Sequence, residues 1–226
     1  MHTDAAPHGA PTQDLAAKIP PAEEVAGVFG LSATEREIWV RARPHLDVRN
    51  NDAHSLYAWG IARQLLPLVP GADPDVVLPA ILLHDTGWGR ADEERILSEG
   101  FSGDWRKADI RYEHERQGCL IAEEVLPELG YDAEFVGRVT AIIDGHDTRP
   151  EARSLEDALV RDADRLWRFD QVGIALASSW FKLTPSAYMD RLETEIVPEL
   201  QTSAARQMAE ADLARSRALL KASVLR

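Results

Sequence analysis

Four histidines stand where helical periodicity calls for apolar residues. His54 is followed by Ala58, Ile61 and Leu65, at steps of four, seven and eleven. His114 leads Gly118, Ile121, Val125 and Leu129, at four, seven, eleven and fifteen. Val77 and Ile81 precede His84, and Val139 and Ile142 precede His146, each pair at minus seven and minus four. This spacing predicts that each imidazole sits on the buried face of a helix. Asp164, with Val160 four before it and Trp167 three after it, shares the pattern. One such histidine is usually a satisfied core residue. Several titratable groups on separate segments are costly to bury unless they pair or bind metal. The remaining histidines, His2, His8 and His45, lie off these stripes.

The same periodicity sets the fold class. Alternating runs of β-branched residues beside tight-turn dipeptides are nearly absent, so the chain reads as all-α, a single helical bundle. Ser32-x-x-Glu35 has the capping-box pattern and opens the first helix. Further helices are expected over about 52–66, 110–129, 132–145 and 154–168, with a short buried apolar segment over 75–85. Residues 86–109, rich in glycine and charge, read as a long loop or short helices. Residues 1–31 lack an apolar face and are expected to form a loosely ordered leader, with the domain spanning 32–222.

Composition narrows the partners. The 226 residues carry a net charge of -13, so nucleic acid is not an expected partner. No apolar run suits a membrane span, and no basic-then-apolar start marks a secretory signal. A cytoplasmic protein acting on a small molecule is the expectation, and a homo-oligomer stays open. The single cysteine, Cys119, excludes an internal disulfide and a multi-thiolate zinc site.

The order of these residues resembles the HD-domain superfamily of metal-dependent hydrolases. The resemblance rests on His54, on His84-Asp85 within Ala80-Ile-Leu-Leu-His-Asp-Thr-Gly-Trp88, and on Val160-Arg-Asp-Ala-Asp-Arg-Leu-Trp167. In the family the aspartate directly before Arg-Leu is a ligand, which implies Asp164 and leaves Asp162 a supporting residue. The stretches around His114 and Ala141-Ile-Ile-Asp-Gly-His146 are similar to those that supply additional ligands in the dinuclear members.

The resemblance implies divalent metal ions, two for the full set of His54, His84, Asp85, His114, His146 and Asp164. Asp85 would bridge the ions and hold the nucleophilic hydroxide. Imidazole and carboxylate donors suit iron or manganese. Hydrolysis of a phosphate ester is the implied activity. Inositol-oxygenase-like mixed-valent diiron enzymes, which cleave C–C or C–P bonds with dioxygen, use the same ligands and form the alternative. A non-catalytic binding domain is a third reading. Many members carry a lysine three residues after the aspartate of the His-Asp pair, a position held here by Trp88. The candidates for substrate binding are therefore Trp88, Arg90, Arg149, Lys107 and Arg111.

Overall fold

The computed structural model describes residues 20, 21, 24, 25, 27, 29–100 and 108–224. The chain divides into two compact units, Met1–Gly30 and Leu31–Arg226, and the site lies in the second. Ten α-helices and no strand occur among the described residues.

Helix α1 (Ala33–Ala42) opens on the predicted capping box. Ser32 Oγ accepts from the Glu35 amide at 3.2 Å, and the Ser32 amide donates to Glu35 Oε2 at 2.6 Å. Glu35 Oε1 also accepts from Trp59 Nε1 on α2 (Asn51–Leu65), tying the two helices together. Helix α3 (Pro74–Leu83) starts at the Asp73 cap, and every residue from Val76 to Leu83 is buried. A helix apolar all round needs neighbours on every side. It packs against α1, α2 and three later helices: α5 (Asp109–Glu128), α6 (Ala133–Ile143) and α7 (Leu155–Leu166). Its C-terminus thereby delivers His84 and Asp85 to the middle of the bundle.

The segment after α3 holds a 3-10 turn, Thr86–Arg90, and the short α4 (Glu93–Ser98). Residues 101–107 lie outside the described residues. The C-terminal part comprises α8 (Gln171–Trp180), α9 (Pro185–Arg191) and α10 (Ser203–Val224). Asp162, which the sequence assigns a supporting role, caps α10 from inside α7. Its oxygens accept from the Gln201 and Thr202 amides at 2.7 and 2.9 Å.

One backbone crossing sets the position of the site. A Cβ at Gly87 would lie 1.7 Å from the His114 carbonyl oxygen and 2.6 Å from the Gly118 amide. Only a glycine lets the turn after Asp85 approach α5 this closely. The crossing presses the His84-Asp85 corner against the helix turn that carries His114.

Candidate metal centre

The six sequence-predicted donors converge in the second unit. His54 comes from α2, His114 from α5 and Asp164 from the last turn of α7. His84 caps the end of α3 and Asp85 follows it. His146 follows α6 after Gly145, whose φ of +87° turns the chain inward. All four histidines and both aspartates are buried.

The donors form two sets that share Asp85. Around Asp85 Oδ2, His54 Nε2 lies at 3.2 Å and His84 Nε2 at 3.6 Å. Asp164 Oδ1 completes this set, 3.3 Å from His54 Nε2 and 3.6 Å from His84 Nε2. Around Asp85 Oδ1, His146 Nε2 lies at 3.4 Å and His114 Nε2 at 3.6 Å. Donors sharing one ion with bonds of roughly 2.0–2.2 Å stand roughly 2.8–3.6 Å apart, for angles between 90° and tetrahedral. Both sets fall within that range.

The ring nitrogens are oriented for coordination. His84 Nδ1 lies 2.8 Å from the Ile81 carbonyl, and His146 Nδ1 stands 2.8 Å from the Ile143 carbonyl. Each carbonyl belongs to a final helix turn, where the regular ladder of amide donors runs out. With Nδ1 engaged in this way, each ring turns its Nε2 to the centre, the usual orientation of metal-bound histidine. His54 Nε2 and His84 Nε2 face each other at 3.2 Å, and His114 Nε2 and His146 Nε2 at 3.4 Å. Two lone pairs this close need a proton or a cation between them. Asp164 Oδ2 is buried without a hydrogen-bond donor. The donor set and this orphaned oxygen fit divalent cations.

The electrostatics agree. Burial alone would raise Asp85, but His84, His146 and His54 hold it well below the usual carboxylate range. Burial opposes charge on Asp164 too, yet hydrogen bonding by His54 and His84 and the Arg168 charge hold it low. Burial, reinforced by His146, pushes His114 down to about 3, so its ring is neutral. Against burial, hydrogen bonds donated to Asp164 and Asp85 raise His54 to about 9, and one to Asp85 with the nearby Asp147 and Glu115 charges raises His146 to about 10.

Asp147 adds a donor that the sequence reading passed over. Its Oδ2 lies 3.6 Å from His114 Nε2, and it groups with His114 and His146 as a third set of potential ligands. Arg111 Nη1 donates to the same carboxylate. Glu115, buried one residue beyond His114, pins this loop. Its Oε1 accepts from the Asp147 and Thr148 amides at 2.8 and 2.9 Å, and its Oε2 from the Thr148 hydroxyl at 2.7 Å. The signal for Asp147 was the second His-Asp dipeptide itself, placed just after a glycine turn.

A cleft opens onto the centre. It encloses about 470 Å³, its solvent-open mouth included. His54, Asp85, Asp147 and Asp164 form its floor, and Trp88, Trp167, Trp180, Arg49, Arg111 and Arg168 its walls. Trp88 stacks on His114 at 3.9 Å between ring centroids and donates to Asp85 Oδ1 at 3.1 Å. Of the predicted substrate-binding residues, Trp88 and Arg111 line this cleft. Arg90 and Arg149 do not. Arg90 turns to the surface and pairs with Glu124 at 2.6 Å. Arg149 pairs with Asp157 at 2.8 Å and donates to the Ala141 carbonyl, bracing the loop after α6. Lys107 lies outside the described residues. Arg49 and Arg168 were missed, since an arginine is by default a solvated surface group.

An all-helical bundle with a histidine–aspartate centre at the end of its most buried helix defines the class. The HD domain family model matches residues 51–168, and the chain belongs to that family. Its fold is similar to the crystal structure of a predicted HD superfamily hydrolase from an uncultured Thermotogales bacterium. That likeness has a TM-score of 0.57 and 23% identity, covering 84% of this chain and 91% of the other. No curated protein matches the chain. No helix among the described residues is long and apolar enough to cross a membrane.

Proposed function

We propose that this protein is a metal-dependent hydrolase that cleaves a phosphate ester of a small molecule. The observation that carries the reading is the division of labour at Asp85, whose two carboxylate oxygens face two separate sets of histidines. His54, His84 and Asp164 would hold one divalent ion, His114 and His146 a second, and Asp85 would bridge them, with iron or manganese suited to these donors. Such ions, when bound, acidify water and neutralise the oxygens of a phosphoryl group.

The chain's own residues prepare that site. The Ile81 and Ile143 carbonyls orient the rings of His84 and His146 through Nδ1. Trp88 holds Asp85 through its indole N–H and covers the ring of His114, excluding water from that side. Arg111, almost wholly buried, brings positive charge to the cleft of a chain whose net charge is -13. That local charge favours an anionic substrate over a neutral one.

The test is elemental analysis of the purified protein, followed by turnover of p-nitrophenyl phosphate under air and under nitrogen. Bound metal with release of nitrophenol in both atmospheres is the expected result. A protein that takes up no metal on reconstitution, or product formation that requires dioxygen, would overturn the reading.

A further inference from the structure

We propose that Arg49, Arg111 and Arg168 form a guanidinium cradle for the terminal phosphate monoester of the substrate, a compact group with two negative charges. The inference rests on the reading of the metal centre given above and names the substrate class for it.

The three arginines come from different parts of the fold and meet in one cleft. Arg49 precedes α2, Arg111 lies in the first turn of α5, and Arg168 belongs to the turn after α7. Arg111 is held from two sides, by the Gly100 carbonyl at 3.0 Å and by Asp147. Arg168 Nη2 stands 4.0 Å from Asp164 Oδ1. The Arg49 guanidinium lies over the Trp180 ring, 4.7 Å from its centroid. Its backbone is unusual. Arg49 and Asn50 adopt φ values of 56° and 62°, two consecutive non-glycine residues in the left-handed region. Such strain persists only where the surroundings enforce it, and it concentrates at functional sites. Here it accompanies an arginine whose guanidinium lies on the cleft wall beside Trp180.

The charge balance selects the ligand. Three carboxylates, Asp85, Asp147 and Asp164, form the floor, and three guanidiniums face them. The two groups cancel. Two divalent ions with their hydroxide would then leave three positive charges in a largely buried cleft, and uncompensated buried charge is expensive. A phosphate monoester returns two negative charges, a diester one, and a neutral ester none. Planar guanidiniums also match phosphate oxygens in pairs. Burial first, then repulsion by Arg111, already brings Arg49 down to about 10, as expected for cations gathered ahead of their anion.

The experiment measures binding of inorganic phosphate and of dimethyl phosphate to the manganese-reconstituted protein by calorimetry. Wild type, Arg49→Ala and Arg49→Lys are compared, with metal content read on each sample. Arg49→Ala is expected to weaken phosphate binding by at least about tenfold, and Arg49→Lys by less, because a lysine keeps the charge and loses the fork. Metal content should not change. Dimethyl phosphate, with one charge, should bind the wild type at least about tenfold more weakly than phosphate. Equal phosphate affinity in wild type and Arg49→Ala would overturn the cradle, as would equal affinity for the two anions. Metal uptake is a separate readout. Its failure strikes the proposed centre, while phosphate binding that still depends on Arg49 supports the cradle.

Discussion

Each of the four histidines solves the same problem, how to bury an imidazole, in its own way. His84 and His146 are tied at Nδ1 to the carbonyl three residues back. His114 has no hydrogen-bond partner at Nδ1 and is held by stacking on Trp88. Its removal therefore breaks no hydrogen bond at Nδ1, a property it shares with His54. His114→Ala is expected to cut metal content from about two ions per chain to about one, with the far-UV circular dichroism unchanged. Elemental mass spectrometry checks this, and an unaltered stoichiometry would refute the two-set division. The histidines were legible in the sequence because an imidazole on an apolar stripe is conspicuous. Asp147 was not, because it follows His146 in a non-helical loop where periodicity has no meaning. The arginines were misread for a related reason. Only the direction of a side chain separates Arg111, which turns into the cleft, from Arg90, which reaches out to Glu124.

At the scale of the elements, the crossing of the Thr86–Arg90 turn and α5 sets the spacing between Asp85 and His114. A methyl group at Gly87 meets the His114 carbonyl oxygen at 1.7 Å, which backbone cannot relieve without moving. Gly87→Ala is expected to cost about 1–3 kcal/mol, the range of an overpacked core. For a domain of this size that lowers Tm by roughly 3–10 °C. Gly137→Ala is the control, since Gly137 faces open space within α6, and it should hold or raise Tm. Differential scanning calorimetry on the pair distinguishes a steric crossing from a general intolerance of alanine. The bounds of α2, α3, α5, α6 and α7 were legible to within about two residues, while α8, α9 and α10 were not read as separate helices. The capping box at Ser32, the proline after α2 and the glycine after α5 each mark an end chemically. The crossing was not, because a glycine-rich segment announces flexibility or close approach without saying which.

Across the whole molecule, a net charge of -13 surrounds a cleft whose own carboxylates and guanidiniums balance, and which bound ions would make positive. The long-range field would repel an anionic substrate, while the loaded cleft would attract it only at short range. Added salt shortens the reach of the repulsion, to about 8 Å at physiological ionic strength. The kcat/KM for an anionic phosphate ester is expected to rise by about two- to tenfold between roughly 10 and 150 mM salt. A steady fall over that interval would mean that the cleft's own field reaches well into solvent.

Three helices finish at the centre. His84 caps α3, Asp164 stands in the last turn of α7, and His146 follows closely on α6. Each helix end carries about half a negative elementary charge from its aligned peptide dipoles. This part of the attraction for a cation is built from backbone, and acid cannot titrate it. Acid would charge the imidazoles and neutralise the carboxylates, costing the centre its side-chain donors, while the backbone's share of the attraction would stay in place.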